Sequence, residues 1–253
     1  MTQVSDLAAA LASGAARVVD LTQPLSERTP VLQLPEPFAN TPGLSRRPLS
    51  RYDDAGPAWA WDVLELGEHV GTHFDAPVHW ITGRDGEDVA SVPPSRLVGP
   101  AVVLDRTAEA AADPDWLLTV DDVRGFEAEH GAIPEGAWLL LRTGWDARAH
   151  DQEPFLNGSH TPGPDAACAR WLAEECPIAG FGVETVGTDA GAAHGFDPAC
   201  PCHHYFLGAG KMGLTQLQNL ASLPPTGALL VVSPLPIVGG SGSPARVYAL
   251  VER

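Results

Sequence analysis

Four residues that can hold a metal ion or move a proton crowd into one short stretch. They are His69, His73, Asp75 and His79, within the run Glu68-His69-Val70-Gly71-Thr72-His73-Phe74-Asp75-Ala76-Pro77-Val78-His79-Trp80. Imidazole nitrogens and a carboxylate oxygen are donors that Zn²⁺, Mn²⁺ and Fe²⁺ accept, and three of them leave positions open for water or a substrate. A further imidazole beside such a site can act as a base, because an ordinary histidine titrates near about pH 6.5. On a helix, His69 and His73 would share a face. Gly71 and Thr72 weaken a helix there, and Pro77 stops its continuation. An extended or looped backbone fits better, with His73 and Asp75 on one side of it as residues i and i+2. A lone histidine is an ordinary surface or core residue. Four chelating side chains in this spacing, hemmed by Gly, Thr and Pro, point to a metal site.

Other residues carry weaker signals. Trp59, Trp61 and Trp80 flank the histidine stretch and could wall an aromatic pocket, or simply fill the core. Asp189, in Gly-Thr-Asp-Ala-Gly, more often orders backbone than does chemistry, and Glu184 stands just before it. Arg246 could form a structural ion pair or meet a substrate carboxylate.

The elements that must position these residues read as α/β. Short apolar or β-branched runs bounded by Gly, Pro or Asp predict strands at Arg17–Leu21, Trp61–Leu66, Ala101–Asp105, Trp138–Thr143, Gly180–Val183, Ala228–Val232 and Arg246–Val251. Helices are expected over 4–13, at Asp121–His130 with Thr119 as N-cap, at Pro164–Glu175 with Pro164 in the first turn, and at Leu214–Leu220. The stretch Thr22–Pro57, rich in Pro and Ser, reads as loop. Strands alternating with helices predict a mixed β-sheet or barrel with flanking helices, read as a single domain over 1–253.

Composition bounds the partners. The 253 residues hold 15 Lys+Arg against 32 Asp+Glu, a net charge of −17, which argues against nucleic acid and against anionic membranes. A hydrophobic share of 44% suits a globular chain. Val4, Leu7, Ala8 and Leu11 have amphipathic spacing rather than the unbroken apolar run of a signal peptide. Cys168, Cys176, Cys200 and Cys202 lack paired zinc-knuckle spacing and read as reduced thiols of a cytoplasmic protein.

The pattern His-x-Gly-Thr-His-x-Asp-x-Pro-x-His at 69–79 resembles the signature of the metal-dependent cyclase/hydrolase family, which includes bacterial kynurenine formamidases and isatin hydrolases. Val-Val-Asp-Leu-Thr-Gln-Pro-Leu at 18–25, Leu-Pro-Pro at 223–225 and Pro-Leu-Pro-Ile-Val-Gly-Gly-Ser-Gly-Ser-Pro-Ala-Arg at 234–246 are similar to its opening and closing segments. The stretches at 29–35, 67–85 and 186–191 resemble the isatin hydrolases more than the formamidases. The resemblance implies a swivelling β/β/α (cyclase-like) fold, His69, His73 and Asp75 as metal ligands, and His79 as proton acceptor and donor. It also implies a homodimer or larger assembly.

A second cluster, Cys202-His203-His204-Tyr205, precedes Thr215 and Gln216. In two-metal formamidases a His here and a Glu twelve residues later complete a second site. Pairing His203 with Thr215 puts a neutral, short side chain where that Glu would stand, so one metal is expected, Mn²⁺ in preference to Zn²⁺. The shifted register pairs His204 with Gln216, whose amide oxygen could still meet a metal. On the first pairing His203 contacts substrate or handles a proton, with Trp80 and Trp61 as further substrate-binding candidates. The expected activity is metal-assisted opening of a cyclic amide, isatin to isatinate, with His79 taking a proton from water and returning it to the leaving nitrogen. The alternatives are an arylformamidase acting on N-formylkynurenine, which Thr215 disfavours, and a non-catalytic metal-binding protein, which would have no need of His79. No Gly-x-Ser-x-Gly elbow and no phosphate-binding Gly-x-x-x-x-Gly-Lys loop supports another chemistry.

Overall fold

A computed structural model describes residues 3–253. In chain order the elements are α1 (Gln3–Ser13), β1 (Ala16–Asp20), β2 (Ser45–Asp53), β3 (Gly56–Glu65), β4 (His73–Asp75), β5 (Val98–Asp105), α2 (Thr107–Ala112), β6 (Leu117–Leu118) and α3 (Val120–His130). They continue with β7 (Trp138–Arg142), α4 (Gln152–Leu156), β8 (Gly163–Pro164), α5 (Ala166–Glu174), β9 (Gly180–Val183), β10 (Met212–Thr215), β11 (Ala228–Pro234) and β12 (Gly242–Glu252). The main sheet runs β1-β12-β11-β5-β7-β9-β10-β4, and β4 pairs back onto β12, so the seven strands from β12 to β4 close a ring. The pairs β5–β7, β7–β9 and β9–β10 are parallel. All three need crossovers; α3 and α5 supply the first two, and the segment 184–211 with its short helical turns supplies the third. The remaining ring pairs are antiparallel. This is the mixed α/β barrel-like sheet with flanking helices that the strand and helix pattern predicts.

Strand alternation divides the core in two. Val103 and Leu140 point inward with Leu21, Phe74, Trp138, Leu214, Leu230 and Val247. Val102, Leu104, Leu139 and Leu141 point outward, under Phe126 of α3 and Leu172 of α5. Strands buried on both faces read as continuous apolar runs, which is why β7 is Trp-Leu-Leu-Leu-Arg. Each fully buried leucine among them contributes roughly 1.5–3 kcal/mol. Gly180 has no side chain because Trp138 lies across it; a Cβ there would sit 2.4 Å from the indole. Thr119 caps α3 by accepting from the Asp122 N–H, while the Asp122 carboxylate accepts from the Thr119 N–H, a closed capping box.

Three sequence expectations need correction. Leu214–Leu220 is not a helix: Met212–Thr215 is strand β10 between β9 and β4, followed by a loop and a single 3₁₀ turn at Leu220–Ser222. Gln216 and Asn219 take left-handed backbone angles that break any helix there. The stretch Thr22–Pro57 is not all loop: Ser45–Asp53 forms β2, paired with β3 in a two-stranded ribbon. Pro164 lies in the short bridge β8 rather than in a helix; α5 starts at Ala166, capped by the Asp165 carboxylate accepting from the Cys168 N–H.

Candidate metal centre

The histidine stretch crosses the ring's closing seam. Gly71 turns the chain at φ +62°, and β4 then runs between β10 and β12. Thr72 locks the turn, donating from its hydroxyl to the Gln216 carbonyl and accepting from the Gln23 N–H. Within β4, Phe74 enters the ring core, while His73 and Asp75 line a cavity on the other side, as their i, i+2 spacing predicts. Pro77 begins a 3₁₀ turn that ends on His79 and brings it back over the strand.

Four predicted side chains converge. His69 Nδ1 lies 2.8 Å from Asp75 Oδ1, and His73 Nε2 lies 3.5 Å from the same oxygen. The His79 ring stacks on His69 with centroids 3.9 Å apart. His73 donates through Nδ1–H to the Gly71 carbonyl at 2.7 Å, which places its lone pair on Nε2. Burial pushes His73 down to about 4 and His79 down to about 3, so both rings are neutral at pH 7.

These residues fit a divalent cation. They supply two imidazoles and a carboxylate in a buried place. Donors bound at roughly 2.1 Å to one ion stand about 3.0–3.4 Å apart, close to the two separations seen around Asp75 Oδ1. One ligand atom each of His69, Asp75 and His79 also lies within 4.8 Å of the others, so distance alone does not separate His79 from the ligands.

The second cluster divides. His203 lines the cavity, 5.5 Å from the His79 ring and 4.9 Å from Trp80, whereas His204 packs edge-on against Tyr205. Asp189 accepts from the Cys202 and His203 N–H groups and from His203 Nδ1. It thus orders backbone, as its turn sequence suggests, and also aims the His203 ring. Burial works against the charged form of His203, but the Asp189 bond and charge prevail and raise its pKa. Thr215 sits directly across from His73 in the β10–β4 register, with Oγ1 3.1 Å from His73 Nε2. Gln216 is buried, with its side-chain N–H directed toward the Pro30 carbonyl.

The cavity holds about 230 Å³, and its wall includes Leu32 and Leu34 together with Ala39, Val186 and Gly187. The leucines come from the proline-rich stretch, where apolar residues inside a loop were the available signal. Trp80 borders His79 and His203. Trp61 stands 57% exposed on the β2–β3 ribbon, outside the lining. Arg246 pairs with Asp20, the structural option.

The chain is similar to known proteins over most or all of its length. It is 47% identical to an isatin hydrolase from Roseibium aggregatum, over 99% of this chain and 97% of the relative. It superposes with TM-score 0.97 on isatin hydrolase A from Labrenzia aggregata bound to benzyl benzoate, at 46% identity and full coverage of both chains. A kynurenine formamidase from Salinibacter ruber is 31% identical over 72% of this chain and 76% of its own. The family model described as "Putative cyclase" matches residues 19–190, more than half of the sequence, and on that match and these relatives the chain belongs to the cyclase family.

Proposed function

We propose that this chain is a metal-dependent hydrolase that opens the lactam of isatin to isatinate. The observation that carries the reading is the convergence of His69, His73, Asp75 and His79 on a small, largely apolar-walled cavity in a chain 47% identical over its length to an isatin hydrolase. A cavity of about 230 Å³ falls just below the range of roughly 300–1,000 Å³ typical for larger ligands and suits a bicyclic aromatic amide. His69, His73 and Asp75 hold one divalent ion, Mn²⁺ in preference to Zn²⁺ on the oxygen-rich coordination left open. When bound, the ion polarises the amide carbonyl and lowers the pKa of water. His79, neutral because burial depresses its pKa, accepts the proton of the attacking water and delivers it to the ring nitrogen as the C–N bond breaks. His203, with Nδ1 on Asp189, presents Nε2 to the cavity, and Trp80 supplies an aromatic face beside it.

Thr215 supports one ion rather than two, since a hydroxyl cannot bridge two cations as a carboxylate does, and this sets formamidase activity second. We further infer that the chain acts as one domain and as a homodimer or larger assembly. The β2–β3 ribbon exposes Leu49, Tyr52, Trp59, Trp61 and Leu64, and an isolated two-stranded ribbon needs cover. Trp61 meets substrate only if that cover brings it to another protomer's cavity. No described helix is long and apolar enough to cross a membrane. The four free thiols suit the cytoplasm. The functional test compares metal-loaded protein on isatin and N-formylkynurenine. Turnover of isatin with little on the formamide is expected; no turnover of isatin refutes the assignment.

A further inference from the structure

Glu68 and Ser241 lie beside the proposed ligands without belonging to them. Ser241 follows the exposed closing loop, and its carbonyl accepts from the Ala76 N–H at 3.0 Å, which ties it to the end of β4. Its Oγ is 2.9 Å from His69 Nε2 and 2.6 Å from Glu68 Oε2, and its N–H also reaches Glu68 Oε2 at 3.1 Å.

Counting protons fixes the direction of this chain. An ionised carboxylate only accepts, and a hydroxyl has a single proton to give. At 2.6 Å the Ser241 proton is committed to Glu68, so Ser241 Oγ meets His69 only as an acceptor. His69 therefore carries its hydrogen on Nε2, and its Nδ1 keeps the lone pair. That Nδ1 is the atom 2.8 Å from Asp75 Oδ1. Two lone pairs at that distance repel unless a cation serves both. His73 shows the reverse arrangement, with Nδ1–H on the Gly71 carbonyl and the lone pair on Nε2, where the Thr215 hydroxyl approaches to 3.1 Å.

We propose that Glu68 and Ser241 are positioning residues that hold His69 in its Nε2–H tautomer, so that the two histidines bind the ion through opposite nitrogens, His69 through Nδ1 and His73 through Nε2. Gly242 completes the support. A Cβ there would lie 2.4 Å from His69 Cε1, so the backbone of β12 packs against the ring. The proposal rests on the metal-site reading above.

The test measures Zn²⁺ and Mn²⁺ affinity together with the ¹⁵N shifts of the His69 and His73 rings in Zn²⁺-loaded protein. Wild type is expected to show metal on His69 Nδ1 and on His73 Nε2. Ser241→Ala should weaken metal affinity by roughly 10–100-fold, and Ser241→Thr should restore it. Glu68→Ala, which frees the hydroxyl to donate to His69, should mix the two His69 tautomers in the metal-free protein. Metal on His69 Nε2, or wild-type affinity in Ser241→Ala, overturns the relay alone. A wild-type protein that binds neither metal overturns the metal site and the relay together.

Discussion

Glu184 provides a sharp test of the electrostatics that support the cavity. It follows β9 directly, is 1% exposed, and its Oε2 accepts from the Thr143 N–H at 2.8 Å and the Trp145 N–H at 3.0 Å. Two and three residues on, Val186 and Gly187 line the cavity, and Asp189 aims His203. Burial, helped by the Asp146 charge, lifts the Glu184 carboxyl from 4.5 to about 7, against the pull of its backbone donors. The native state thus holds a proton that the unfolded chain releases between those values. Stability falls as pH rises through that window and levels off above it. At about 1.4 kcal/mol per pH unit the window corresponds to about 3 kcal/mol, most of it lost between pH 5 and 7. Glu184→Gln imitates the protonated side chain and removes this dependence. Urea unfolding of both proteins at pH 5, 6, 7 and 8 should show the variant gaining about 3 kcal/mol relative to wild type as pH rises. His73 and His79 titrate alike in both proteins and cancel in the difference. A difference independent of pH refutes the reasoning. A variant that loses ground as pH rises would mean that the backbone donors outweigh burial and keep the carboxylate charged.

Further outcomes follow from the same geometry. Metal analysis of purified wild type should give about one ion per chain, because Thr215 replaces a bridging carboxylate; two ions would refute that argument. Asp189→Asn removes the charge that stabilises the His203 imidazolium, so an NMR titration should place the His203 midpoint at lower pH than in wild type, and an unchanged midpoint contradicts the assigned cause. Gly242→Ala puts a Cβ 2.4 Å from His69 Cε1 and 2.7 Å from the Phe74 carbonyl. It should cost roughly 1–3 kcal/mol in thermal or urea unfolding, whereas wild-type stability would show that the ring is not packed there.

The candidate site was largely legible because its chemistry is local. Eleven consecutive residues hold both donors and their turn, with Gly71 supplying a left-handed angle and Pro77 starting the 3₁₀ turn. What depends on distant chain was not legible. Ser241 reaches His69 across 172 residues, and Leu32 and Leu34 join the cavity from a stretch without strand or helix periodicity. Strand β2 was hidden by Arg46, Arg47, Pro48 and Arg51, which leave no apolar alternation on a ribbon exposed on both faces. Leu214, Leu217 and Leu220 are all fully buried at a spacing of three, which imitates a helix. Leu214 is in β10, Leu217 forms an isolated bridge to Thr22, and Leu220 opens a turn, so burial here comes from three different local structures.

The division of labour between His79 and the metal ligands is the central claim, and distance alone leaves His79 among the candidates for both roles. Isatin turnover by the His79→Ala protein, with metal content determined on the same sample, separates them. About one bound ion per chain with turnover reduced roughly 10²–10⁴-fold is the predicted result for loss of a general base. Loss of the ion would make His79 a ligand, and near-normal turnover with the ion retained would remove it from the proton transfers altogether.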